Sequence, residues 1–443
     1  MRVEIGELRR LHIWPHSFIS ILILLVCISG QADALPGDET GPNRRVTIDQ
    51  QYFVGQLSPR AVSEFHLNIL MLQGLSIDIV VDAAHTLTPE SSEFFAPLLG
   101  FLLRGFYHFY FTEPGMNAMH LSGTAFRQNA GGLNTKYYTS AKGSPRRPDG
   151  QTMRENYFAF LWDNIKGRFS DKNKPGFSIA GGNYTFSQKP VRNNMLVAMG
   201  GANAGMYFAE YIAKDLRYKN GHLSHFSGYI SGRFDNYSYA ENAPQAKKIG
   251  AANDLVDINN FYKKRGIKFR YTEVQEATIL TFLMSGTTLS FLRSTFVRSY
   301  WGKPVQPLVI NDIIFPDIYY YLTTRGPSYK VTGGFLTEKL AYPYSIERTQ
   351  GTNPATEIQL GTRYFSPTHQ AEILFLYSSL SKALGIKFYG EYFIYGNEKF
   401  AIKLWGGLTR YAPGSLQAER EMPGVRPQLV DTIEGIIGIS IEY

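Results

Sequence analysis

The sequence predicts an α+β fold: a helix-rich amino-terminal region followed by an antiparallel β-meander. Two observations carry that expectation. Before residue 303 the apolar segments are long and often of helical length, whereas after it they are short, aromatic and alternating. Turn residues punctuate the second part at regular intervals. Composition agrees with a packed chain of unusual surface. Tyr (29), Phe (30) and Gly (42) are abundant among 443 residues, and charged residues make up only 19%. The aromatic content excludes a disordered chain. The single cysteine excludes a disulfide-stapled scaffold.

Residues 1–34 have the layout of a cleaved signal peptide. Arg2, Arg9 and Arg10 form a basic start, Ser17 to Gly30 is uncharged and apolar, and Ala32-Asp33-Ala34 is an A-x-A site. The run is shorter than the ~20 residues a membrane span requires. Cleavage after Ala34 would remove Cys27 and leave no thiol, which suits an oxidising compartment. The net charge of +8 survives cleavage, because the three arginines are balanced by Glu4, Glu7 and Asp33.

Residues 35–303 form the expected helix-rich domain, with some strands. Val62 to Val81 is moderately apolar. Pro89-Glu90-Ser91-Ser92-Glu93 is a helix start, and Phe94 to Phe111 is greasy on all sides and must be buried in protein or lipid. Arg104 and His108 interrupt it at i,i+4 spacing. Residues 128–155 read as a loop, and 176–190 are rich in Gly and Asn with some strand-like alternation. Met195 to Leu216 is a helix whose Gly200-Gly201-Ala202-Asn203-Ala204-Gly205 would let another helix approach closely. Phe226 to Tyr239 is expected as a strand pair. Asn253 caps a helix that runs to Lys264 and ends at Gly266. Ala277 to Leu292 is a second uncharged run, too short for a full span.

Residues 304–443 form the expected sheet or barrel domain. The candidate strands are 317–324, 328–337, 341–348, 355–365, 369–379, 384–395, 399–411 and 428–443. Arg325-Gly326-Pro327, Gly351-Thr352-Asn353-Pro354, Ser366-Pro367-Thr368 and Tyr395-Gly396-Asn397-Glu398 separate several of them. In the last strand Ile437, Ile439, Ile441 and Tyr443 share one face, and Ile436, Gly438, Ser440 and Glu442 share the other.

A period-2 strand that ends the chain on an aromatic residue resembles the assembly signal of bacterial outer-membrane β-barrels. The resemblance covers roughly the last 130 residues and is to the class, with no narrower family indicated. It implies a small membrane β-barrel, an outer-membrane location, contact with outer-membrane lipids, and recognition of the last strand by the barrel assembly machinery. A barrel of eight strands has an interior filled by side chains, so such a domain would be an anchor or narrow conduit.

Four ionisable residues are candidates for a ligand or polar site: Arg104, His108, Glu113 and His120. Charged groups on a greasy helix mark function when they lie in a membrane. His120 invites comparison with a zinc-protease H-E-x-x-H helix, but Leu121 and Thr124 stand where the base and second ligand belong, so at most a decayed site remains. His222 and His225 could form a metal pair, yet two ligands are insufficient and no metal is assigned. Asn183 and Asn236 lie in glycosylation sequons. A P-loop, a G-x-S-x-G elbow and a dinucleotide fingerprint are all lacking, no catalytic residue or cofactor is assigned, and nucleic acid is not an expected partner.

The resulting expectation is an exported outer-membrane protein, with a barrel as anchor or narrow conduit and a helical domain attached. Two alternatives stand beside it. One is a membrane-associated hydrolase, or decayed protease-like domain, around His120. The other is a helical inner-membrane protein spanning through 94–111 and 277–292, with a periplasmic β domain.

Overall fold

The computed structural model describes residues 45–54, 57–87, 92–130, 137–138, 153–154, 157–170, 194–218, 221–249, 253–296, 305–351, 353–366, 369–397, 400–412, 415–421 and 432–442. Residues 1–34, Asn183, the segment 176–190 and Tyr443 lie outside them, as does most of the expected loop at 128–155.

The chain enters with a strand, β1 (Arg45–Asp49), and a helical turn at Gln51–Val54. Helix α1 (Pro59–Leu87) follows, with Pro59 in its first turn and the Ser58 hydroxyl accepting the Ala61 N–H. Helix α2 (Ser92–Tyr107) runs into a π-helical turn (His108–Thr112) and then α3 (Glu113–Ala130). A two-residue ladder, β2 (Tyr137–Tyr138) with β3 (Met153–Arg154), precedes α4 (Tyr157–Ser170). Then come α5 (Asn194–Tyr218), α6 (His225–Ile249), α7 (Asp254–Lys264), α8 (Tyr271–Leu283) and α9 (Gly286–Phe296). Asn253 accepts the N–H groups of Leu255 and Val256 at the start of α7, and Gly266, with φ of +69°, follows its end, as the sequence indicated. The expected strand pair at 226–239 is instead part of α6. Its aromatics and glycines fit helical neighbours: a side chain at Gly232 would come within 2.4 Å of the Gly205 carbonyl. The apolar run at 277–292 is two helices, broken at Met284 and Ser285.

The second part is a meander. Strands β4 (Val309–Ile310), β5 (Ile313–Thr323), β6 (Gly326–Leu336), β7 (Leu340–Thr349), β8 (Thr356–Phe365), β9 (His369–Ser378), β10 (Ala383–Asn397) and β11 (Phe400–Tyr411) pair in sequence order. A short helix, α10 (Leu416–Glu421), intervenes before β12 (Thr432–Glu442). Strand β1 pairs with β12, bringing the first described strand beside the last, with Arg45 opposite Glu442 and Asp49 opposite Gly438. The result is a ten-stranded antiparallel sheet in the order β1-β12-β11-β10-β9-β8-β7-β6-β5-β4. The sheet is open: β1 and β4 do not pair with each other.

Helices occupy both edges. The Asn68 carboxamide of α1 accepts the Thr47 N–H (2.9 Å) and donates to the Thr47 carbonyl (2.6 Å) on the free side of β1. Asn203 of α5 does the same for Leu322 of β5, accepting its N–H at 3.0 Å and donating to its carbonyl at 2.7 Å. Each carboxamide supplies the partners a missing strand would have given, so neither edge offers these groups to another chain. Helices α1 and α5 also pack on each other. Helix α5 crosses α3 where Gly123 meets Gly200, and α6 where Gly205 meets Gly232. A side chain at Gly123 would lie 2.2 Å from the Gly200 carbonyl. These are the small residues expected to permit close approach. Core residues of α3, α5 and α6, including Met119, Phe208 and Tyr229, join Tyr319 and Tyr321 of β5. Tyr320 and Leu322 point the other way, into a second core with Leu255, Ile258 and Tyr262 of α7 and Val274 and Ala277 of α8.

Candidate functional site

Alternation gives β7 to β12 two unlike faces. One face carries Ile346, Leu360, Phe375, Leu384, Phe388, Tyr392, Leu404, Leu408, Ile433, Ile437 and Ile439, all exposed. The other carries buried Glu347, Glu357, Arg363, Glu372, Glu391, Lys403 and Ser440. A soluble one-sided sheet does the opposite, placing apolar residues against the core.

The polar face is covered by α5, α10 and the first half of α1. Lys214 of α5 and Arg363 of β8 both bind Glu372 of β9, at 2.9 and 3.1 Å. Glu391 of β10 holds Arg45 of β1 at 2.7 Å and Lys403 of β11 at 3.5 Å. Arg217 reaches Asp317 at 3.1 Å, and Lys330 pairs with Glu210. Arg60 pairs with Asp49 and Glu64 and stands over the Trp405 ring. Burying these ions is tolerable because nearly every one is paired.

Helix α10 dips from the β11–β12 connection into this interior. Glu357 accepts hydrogen bonds from the Ser415 hydroxyl and from the Leu416 and Gln417 N–H groups, so a strand carboxylate caps the helix start. Arg420 binds Glu347 at 2.7 Å, and Glu419 accepts the Thr324 N–H. Two adjoining cavities remain between helices and sheet, of about 100 and 120 Å³. They share Arg60, Tyr211, Lys214, Glu372 and Lys387 in their walls.

Of the four residues singled out from the sequence, His120 and His108 bind different partners. His120 of α3 is buried between two carboxylates, with Nδ1 2.9 Å from Asp235 and Nε2 3.1 Å from Asp254, and its ring stacks on Tyr239. Burial alone would favour the neutral ring, but Asp235 and Asp254 outweigh it and push its pKa up to about 10. His120 is thus a buried cation joining α3, α6 and the start of α7. His108 meets the Ser227 hydroxyl at 2.8 Å on α6 instead. Arg104 and Glu113 lie on α2 and α3, in the same stretch as His108.

His222 and His225 do not converge as ligands. His222 bridges Asp78 (3.1 Å) and the Ser224 hydroxyl (2.8 Å) in the turn before α6. Ser224 donates onward to the Leu70 carbonyl, so this Asp-His-Ser string is a buried brace with its hydroxyl committed. Burial holds His225 down to about 4, hence neutral at neutral pH. No group of three His, Cys, Asp or Glu that could hold a metal occurs among the described residues. Asn236 is buried in α6.

In the last strand, Ile437 and Ile439 are exposed on the apolar face, Ile441 is half-buried, and Gly438 and Ser440 are buried on the polar one. The interior ion pairs were the residues that sequence reasoning missed. Their signal was present: single charges at alternate positions in otherwise apolar strands. The partners on α5, 100 to 158 residues away, and Arg45 on β1, 346 residues away, were not legible. Among the described residues α1 is the one helix long and apolar enough to cross a membrane by length and composition, yet Glu64, His66, Asn68 and Asp78 on it are buried in protein. Set against known proteins, the chain matches no family model, no curated protein and no solved structure.

Proposed function

We propose that this is an exported bacterial outer-membrane protein whose sheet presents its apolar face to lipid and wraps its polar face around helices α5 and α10. The observation that supports this most directly is the reversed polarity of β7 to β12, with large apolar side chains outside and paired charges within. Outer-membrane barrels need that distribution, apolar toward lipid and polar toward the lumen. Strand length fits as well. Ten or eleven residues, as in β7, β8, β9 and β12, meet the ~9–11 residues a tilted membrane strand requires. In this reading α1 and α5 complete the wall where β1 and β5 do not meet, and the barrel is closed by helices. The filled interior makes it an anchor or narrow conduit, with no catalytic activity assigned. The assembly machinery would read Ile437, Ile439, Ile441 and Tyr443. Fractionation with heat-modifiable gel mobility tests the reading: outer-membrane recovery with a heat-dependent shift supports it, and release by carbonate overturns it. Deleting Tyr443 should block assembly, and unchanged outer-membrane levels would count against the last strand as signal.

A further inference from the structure

The two cavities between α5 and the sheet are lined by charges of both signs. Five cationic side chains and three carboxylates line each, and Asp49, Asp317 and Glu391 stand behind the arginines they pair with. Most of those cations are committed: Lys214 and Arg363 to Glu372, Arg60 to Asp49 and Glu64, Arg45 to Glu391. Lys387 of β10 differs. It is half-buried, lies on the polar face two residues from Tyr389, and lines both cavities. Among the described residues its ammonium has no hydrogen bond or ion pair. The Tyr211 hydroxyl, on the opposite wall, likewise makes no hydrogen bond among them. These two unused donors, on facing elements, line the same cavities as Arg60 and Lys214, in a partly buried interior where charge attraction is stronger than in bulk water.

We propose that this pocket binds a small oxyanion of the phosphate class, held by Lys387 and the Tyr211 hydroxyl, with Arg60 and Lys214 supplying field while keeping their own carboxylates. Each cavity is large enough for several waters, so a tetrahedral anion can replace them. Bidentate and multidentate acceptance by oxyanions suits converging N–H and O–H donors. The pocket is defined by side-chain geometry and stands whether or not the apolar face meets lipid.

Calorimetric titration of the purified full chain in detergent with inorganic phosphate, at low chloride, tests this. Wild type should bind saturably. Lys387→Gln should weaken binding by at least about tenfold, since it removes the one uncommitted charge, among the described residues, that would contact the anion. Tyr211→Phe should weaken it by a smaller factor, and Lys268→Gln on the exposed surface should leave it unchanged. Absence of saturable binding by wild type, or equal binding by Lys387→Gln with an unchanged circular dichroism spectrum, overturns the proposal. A Lys387-dependent response to phosphatidylglycerol vesicles without any response to free phosphate would make the anion a lipid headgroup and overturn the free-anion assignment.

Discussion

The Asn68 carboxamide pairs with both backbone groups of Thr47, accepting at 2.9 Å and donating at 2.6 Å. It stands in for a strand at the edge of β1. Asn203 repeats the arrangement at Leu322 on β5. Both sheet edges are therefore held by side chains of two helices that touch each other.

Replacing Asn68 with Leu should leave the Thr47 N–H and carbonyl unpaired, at a cost of about 1–3 kcal/mol each. Asn203→Leu should act alike at Leu322. Denaturant titration should show the midpoint falling in both variants, and Asn68→Asp should lose at least as much, since its second oxygen would face the Thr47 carbonyl to which Asn68 donates. An unchanged midpoint for both Leu variants would mean the edges need no cap.

The glycine contacts give a second test. Gly123→Ala would place a methyl about where the Gly200 carbonyl sits, at 2.2 Å, and α3 and α5 would have to separate. Overpacking of this kind costs roughly 1–3 kcal/mol. Gly390→Ala, with open space around the new methyl, serves as a control. Thermal melts of the two variants should separate by several degrees.

Stability should fall on both sides of neutrality for different reasons. His120 has its pKa raised to about 10 in the fold, against about 6.5 in the unfolded chain. Its contribution is full below about 6.5 and is lost as pH rises toward 10. His225 is depressed to about 4, so its contribution is full above about 6.5 and is lost as pH falls through 4. His120→Gln should flatten the alkaline limb, and its loss should cost about 3–5 kcal/mol because two carboxylates keep no buried cation. Unfolding free energy measured from pH 4 to 10 reads both limbs.

Much of the fold could be read in the sequence, and the reasons are local. Strands β5 to β12 announce themselves through period-2 alternation and turn residues such as Gly326-Pro327, and α7 through Asn253 and Gly266. The Phe226–Tyr239 segment misled because Gly, Ser and aromatics mix there without a clear apolar stripe. Its helix is set by the fit of Gly228 and Gly232 against neighbouring helices, a tertiary cause. Strand β1 was missed because five residues, Arg45 to Asp49, carry no signal until β12 supplies the edge. Helix α10 was missed because six residues are too few for periodicity, and Glu357 from β8 makes its start. Candidate residues fared similarly. His120 stood out, but its partners Asp235 and Asp254 lie more than a hundred positions away.

The most direct test of the account is which solvent meets the two faces of the sheet. Single cysteines can be placed on the apolar face (Leu360→Cys, Phe375→Cys, Leu404→Cys) and on the polar face (Ser345→Cys, Thr409→Cys) of a Cys27→Ser background, spin-labelled, and read in native outer membranes. Labels at 360, 375 and 404 should relax with oxygen dissolved in lipid and ignore a water-soluble nickel chelate, while those at 345 and 409 should not respond to lipid-borne oxygen. Relaxation of the 360, 375 and 404 labels by the nickel chelate, at the level of an exposed loop, would contradict it.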